Sequence, residues 1–390
     1  MTDMSALYYK DPYMKEFDAR VISCTQGKKG FEIVLSDTAF YPEGGGQPAD
    51  HGFLNDVKVT DVHEKNDVII HYCEKAIEPG MPVHGVIDWE RRFDLMQNHS
   101  GEHILSGIIH RTFGYDNVGF HMGDVITIDF NGPLTWEQLK ECERKANEVI
   151  QKNEEIIFTY PDEEERKTLE YRSKKELSGT VRICEIPSAD ICACCGTHVR
   201  RTGEIGLIKA LSLEKHKNGV RCEMVSGMRA VHYMEEVFDN NREISFALSA
   251  PLRETSAYLK RLLEEQSALQ RKIHDMTAGL LKQRLEQKEI SHVQIDILEN
   301  VDKLSMRNYC NDLLAKTDNG TAAVFVKDSG RYNYLVISKD TDLRPVSKQI
   351  NTALNGKGGG NSEMIQGSVS CEEGQILSCM QSLLGKEAQS

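Results

Sequence analysis

The 390-residue chain has no apolar run approaching the ~18 residues of a membrane span. Its start, Met1-Thr-Asp-Met-Ser-Ala-Leu-Tyr-Tyr, has no basic stretch followed by an apolar core, so a soluble protein that stays in the cytoplasm is expected. An excess of positive charge is also missing. Lys+Arg 47 against Asp+Glu 60 give a formal charge of -13, which excludes indiscriminate coating of nucleic acid and requires any RNA contact to be local. The 11 cysteines are odd in number and unevenly spread, so they do not read as a disulfide framework and fit a reducing compartment. At this length two or three domains with substantial cores are expected.

What the chain does have is His99-Ser-Gly-Glu-His103, two imidazoles four residues apart, which a helix points the same way. Downstream lies Cys192-Ala-Cys194-Cys195-Gly-Thr-His198, a knot of thiols with one imidazole. Together they can complete a four-coordinate shell of nitrogen and sulfur, which favours zinc over magnesium or calcium. The order His99-x-x-Glu102-His103 is also that of H-x-x-E-H metallopeptidases, with Glu102 as general base. Those enzymes take a downstream carboxylate as third ligand, whereas a Cys-His pair stands here.

Residues 1–90 read as short strands, Ala19-Arg-Val-Ile-Ser, Phe31-Glu-Ile-Val-Leu, Val57-Lys-Val-Thr-Asp-Val and Asp67-Val-Ile-Ile-His, and predict a small antiparallel barrel. Between the second and third runs comes Thr38-Ala-Phe-Tyr-Pro-Glu-Gly-Gly-Gly-Gln47. It is too glycine-rich for a strand interior, and Phe40, Tyr41 and Pro42 stiffen it into a shaped loop. From Asp88 the period becomes helical, carrying Leu95, His99, His103, Leu105 and Ile109 as far as Gly114. Strands at 125–130, 155–160, 181–186, 204–210 and 219–225, with a helix opened by Thr135 and Gln138 at capping-box spacing, give an α+β zinc-containing domain over 91–240. The acidic run 162–165 reads as a solvated helix start. A helical segment at 241–290 contains Leu259, Leu262, Gln266, Leu269, Ile273, Met276 and Leu280, the spacing of a coiled-coil seam. Its partner would be residues 231–248 or a second subunit, so a homodimer through the coiled coil or the C-terminal region is an expectation. Residues 291–390 alternate strands and helices as a small α/β domain, in which Gly356-Lys-Gly-Gly-Gly360 reads as a turn.

The ordered motifs resemble the freestanding alanyl-tRNA editing proteins, relatives of the editing half of alanyl-tRNA synthetase. The segment 38–47 resembles their glycine-rich loop, His99-x-x-x-His103 their first zinc pair and Cys194-x-x-x-His198 their second; Thr202-Gly-Glu-Ile-Gly and Gly219-Val-Arg also agree. Gly358-Gly-Gly-Asn-Ser-Glu-Met-Ile-Gln366 resembles part of the synthetase's C-terminal domain, so the likeness is to a long form and covers nearly the whole chain. One departure is Cys194-Cys195-Gly196-Thr197-His198 where the synthetase has Cys-Gly-Gly-Thr-His; alignment on Thr197 and His198 selects Cys194 and leaves Cys192 and Cys195 in reserve.

The resemblance implies an aminoacyl-tRNA deacylase that hydrolyses mischarged tRNA(Ala), chiefly seryl-tRNA(Ala), without ATP and without aminoacylation. It implies zinc held by His99, His103, Cys194 and His198. Thr38 is placed against the amino-acid side chain, with Gln47 and His121 near the ester or the tRNA terminus. Basic contacts to RNA are expected among Arg91, Arg92, Arg200, Arg201 and Lys209. The other reading from a different class is a non-catalytic RNA-binding protein whose zinc is structural.

Overall fold

Six antiparallel strands close on themselves near the N-terminus: β1 (Glu16–Gly27), β2 (Gly30–Leu35), β3 (Gly52–Leu54), β4 (Val57–Lys65), β5 (Val68–Cys73) and β6 (Pro82–Ile87), in the order β1-β2-β5-β4-β3-β6. Closure leaves no unpaired edge. Inward-facing Phe17, Val21, Ile33, Leu54, Val59 and Val62 fill the barrel, as the period-2 alternation of the sequence requires. This computed structural model describes residues 6–28, 30–173 and 179–384. The chain divides into two units, 1–243 and 244–390.

After a short α1 (Leu7–Lys10) and the barrel, the chain enters α2 (Trp89–Phe113), started by Asp88, whose side chain accepts from the Arg91 amide, and stopped at left-handed Gly114. Its middle is buried almost all round, from Leu95 to Ile109, because sheets flank it. One has four strands, ordered β12-β13-β8-β7: β7 (Asn117–Met122), β8 (Ile126–Phe130), β12 (Ile208–His216) and β13 (Gly219–Ser226). The other has three, β9 (Ile157–Thr159), β10 (Ile183–Ile186) and β11 (Asp190–Ala193). Thr135 and Gln138 form the expected reciprocal capping box at the start of α3 (Trp136–Lys152), and Asp162 caps the short helix Glu163–Thr168. The strand expected at 204–210 is instead a 3₁₀ turn, Thr202–Ile205, followed by β12. Gly206 at φ 79° separates the two.

In the second unit a five-stranded sheet carries helices on both faces. Strand residues Ala323 and Phe325 pack with the helices Leu343–Ala353 and Glu373–Leu384, whereas their neighbours Ala322, Val324 and Val326 pack with the helix Lys303–Ala315. The expected turn at 356–360 is a strand, Lys357–Gly360, paired antiparallel with Met364–Val369. The long helix spans Thr255–Glu286, and its seam residues Leu259, Leu262, Leu269, Ile273, Met276 and Leu280 are 45% to 65% exposed. Among the described residues no helix is long and apolar enough to cross a membrane.

Candidate metal centre

His99 and His103 sit on adjacent turns of α2, and Cys194 and His198 lie on the loop leaving β11. Their four donor atoms all fall within 4.8 Å of one another. In each ring one nitrogen is occupied from behind. His99 Nδ1 lies 2.8 Å from Gln47 Oε1, His198 Nδ1 lies 3.0 Å from Ser100 Oγ, and His103 Nδ1 lies 3.2 Å from an Asp190 carboxylate oxygen. A carbonyl or carboxylate can only accept, so in His99 and His103 the proton is fixed on Nδ1 and Nε2 is left as a donor to an ion. The Nε2 atoms of His99 and His198 lie 3.5 and 3.2 Å from Cys194 Sγ. Burial opposes the Cys194 thiolate, but positive charge at the point faced by His99, His103 and His198 outweighs it and holds the thiol well below its ordinary pKa. Three imidazoles and one thiolate around one point fit a tetrahedral divalent ion of zinc's preferences.

The supports come from distant segments. Gln47 is fully buried at the end of the glycine-rich barrel loop, and its amide also donates to Thr197 Oγ1 (2.8 Å) and accepts from the Thr197 amide (3.0 Å), which fixes which end faces His99. Two glycines are required by contact. A Cβ at Gly196 would stand 2.0 Å from His99 Cε1, and one at Gly46, where φ is 90°, would stand 2.4 Å from the Phe120 ring. Phe120 in turn stacks on His99 at 5.7 Å between centroids. Asp190 is held by Arg172 through two 2.7 Å contacts; burial would raise its pKa, but His103 and Arg172 override it and hold the carboxyl far below the usual range. Arg182 binds the carbonyls of Cys194 and Gly196 at 3.2 and 2.8 Å and lies 3.8 Å over Phe158, which sets the ligand loop.

The sequence-expected residues separate into groups. Cys194 joins the three imidazoles, Cys192 lies behind His103 with its Sγ 2.9 Å from Nδ1, and Cys195 is exposed. Thr38 is buried with His71, 2.9 Å away. His121 is exposed on β7, where strand alternation sends its neighbour Phe120 towards His99 instead. Glu102 accepts from Ser106 and Asn117, and the fourth donor is a thiol, so the carboxylate ligand of the H-x-x-E-H reading is not in the cluster. Arg92 is corrected outright as an RNA contact. It is fully buried, its guanidinium grips Asp50, and it donates to the carbonyls of Pro12 and Ala39. Arg91 donates to the Ala49 carbonyl, Lys209 pairs with Glu143 at 3.0 Å, and Arg200 and Arg201 are exposed. Sequence reasoning missed Asp190, Arg172, Arg182, Ser100, Phe120 and His71. Ser100 alone carried a signal, by lying between the two helix histidines.

Residues 181–221 match the family model described as the threonyl and alanyl tRNA synthetase second additional domain, and residues 4–91 match that of class II (A) tRNA synthetases. Among curated proteins, the alanine-tRNA ligase of Ignicoccus hospitalis is 33% identical over 97% of this chain but only 43% of its own length, and that of Pyrococcus furiosus is 32% identical over 95% and 42%. The alanyl-tRNA editing protein AlaX-L of Pyrococcus horikoshii is 30% identical over 95% of this chain and 96% of its own. Likeness sustained over nearly the full length of both chains shows that this chain belongs to the family of alanyl-tRNA editing proteins.

Proposed function

We propose that the chain is a trans-editing hydrolase that cleaves the ester joining a wrong amino acid, chiefly serine, to tRNA(Ala) in the cytoplasm. The observation that carries this reading is the convergence of three imidazoles and a thiol at one point, beside the glycine-rich loop, in a member of this family. Zinc suits the donor set and, when bound, would supply a Lewis acid for a water or for the ester carbonyl. Around it the chain's own residues orient the donors. Gln47, Asp190 and Ser100 fix the three rings, and Phe120, packed against the Gly46 turn, stacks on His99. An aminoacyl ester is already reactive, so placing a water against it and stabilising the developing oxyanion suffices without a covalent nucleophile.

Serine and alanine differ by one hydroxyl, and an editing site must demand that hydroxyl through a hydrogen bond, a role we give to Thr38. Exposed Arg200 and Arg201, with solvent-facing His121, are the groups proposed to meet the tRNA end. The exposed seam of the long helix is assigned to pairing with a second copy, which the concentration dependence of sedimentation tests. For the central reading the test is turnover by the purified chain. Seryl-tRNA(Ala) should lose its amino acid many times per protein molecule, with alanyl-tRNA(Ala) spared. Tight binding of the same tRNA with no hydrolysis would instead favour a non-catalytic RNA-binding role.

A further inference from the structure

Thr38 and His71 form a hydrogen-bond system whose direction can be read atom by atom. His71, on β5, lies across from its register partner Ile33 of β2, and its Nδ1 is 3.0 Å from the Ile33 carbonyl oxygen. A carbonyl only accepts, so Nδ1 carries the proton. The ring is fully buried, and on its other side Nε2 lies 2.9 Å from Thr38 Oγ1. Burial disfavours the imidazolium, so the ring is neutral and Nε2 presents a lone pair. Thr38 must therefore donate its only hydroxyl proton to His71. On its other flank the same oxygen accepts from the Phe40 amide at 3.0 Å, closing a tight turn at the head of the glycine-rich loop. One lone pair is left over.

We infer that His71 is a positioning residue for substrate choice: by taking the Thr38 proton into the barrel it leaves Thr38 able only to accept, so that the amino-acid side chain must be a hydrogen-bond donor. A seryl hydroxyl satisfies this and an alanyl methyl does not. Nor does any side chain of serine's size that ends in an acceptor without a proton. The inference rests on the reading that Thr38 is the discriminator, and the two can fail separately.

The test uses the full chain with its metal, and tRNA(Ala) charged with serine, alanine or 3-fluoroalanine, in which fluorine replaces the hydroxyl at nearly the same size. In the unaltered protein kcat/KM for the fluoroalanyl ester should fall with that of the alanyl ester, about tenfold or more below seryl. Fluoroalanyl hydrolysis at the seryl rate would overturn the inference, since it would mean that Thr38 presents a donor. In His71→Leu the proton is released, and the seryl to fluoroalanyl ratio should shrink severalfold. His71→Gln, whose amide oxygen can again accept it, should restore the ratio. An unchanged ratio in a folded, metal-loaded His71→Leu protein counts against His71. Thr38→Val separates the layers. If it leaves the seryl to alanyl ratio intact, the Thr38 reading itself is wrong; if it collapses that ratio while His71→Leu changes nothing, only the role of His71 falls. Should His71→Leu fail to fold, His71→Met, which likewise offers Thr38 no strong acceptor, is read in its place, and fluoroalanyl hydrolysis at the seryl rate by the unaltered protein still overturns the inference.

Discussion

Gln47, from the barrel, holds His99, from α2, by a 2.8 Å contact between its amide oxygen and Nδ1. That contact ties the glycine-rich loop to the candidate metal centre and explains why the loop ends in glutamine. Gln47→Leu removes the acceptor and leaves Nδ1 without its partner, so zinc affinity should fall about 10- to 100-fold. Gln47→Glu, which keeps an acceptor, should bind zinc better than Gln47→Leu. Competition with a coloured chelator measures both without reference to activity.

Asp190 plays the corresponding part for His103, with Arg172 behind it. Asp190→Ala should also weaken zinc by about 10- to 100-fold. Arg172→Ala leaves the carboxylate in place but less firmly oriented, and the loss should be smaller. Equal losses would mean that Arg172 holds the site by folding the 166–173 segment rather than through Asp190.

Arg92 and Asp50 are an ion pair with neither side chain exposed. Arg92→Met strands a buried carboxylate and should cost about 3–5 kcal/mol, seen as a large drop in the thermal midpoint. Arg200→Met, altering a side chain 61% exposed, should leave stability nearly untouched while weakening tRNA binding in a salt-dependent way.

His71 predicts an acid sensitivity of the barrel. Burial lowers its pKa from 6.5 to about 4, so between those values the unfolded chain takes up a proton that the folded one refuses. Its share of stability is complete above pH 6.5 and declines as pH falls to about 4, by at most about 3 kcal/mol. Urea unfolding of His71→Gln across this range should show a flatter pH dependence than the unaltered protein.

The convergence of His99, His103, Cys194 and His198 was legible because the pattern is local: i, i+4 spacing on a helix and on a turn survives any tertiary arrangement. The Thr135–Gln138 capping box was legible for the same reason. Asp190 was not, since only the return of β11 against α2 brings it to His103. Arg91-Arg92 reads as two solvated charges at a helix start, and nothing nearby announces that Asp50 neutralises the second inside the fold. The 204–210 strand was misplaced because a left-handed glycine can sit within an apolar alternation without altering it.

The most direct measurement is seryl-tRNA(Ala) deacylation followed together with metal content as the folded protein is stripped by chelator and then refilled. The account predicts one zinc per chain and a rate that falls in proportion to zinc removed and returns with zinc restored. In Cys194→Ala, where one donor is gone, both zinc and rate should be lost. Seryl-tRNA(Ala) hydrolysis at the full rate by folded protein with no bound metal would contradict it.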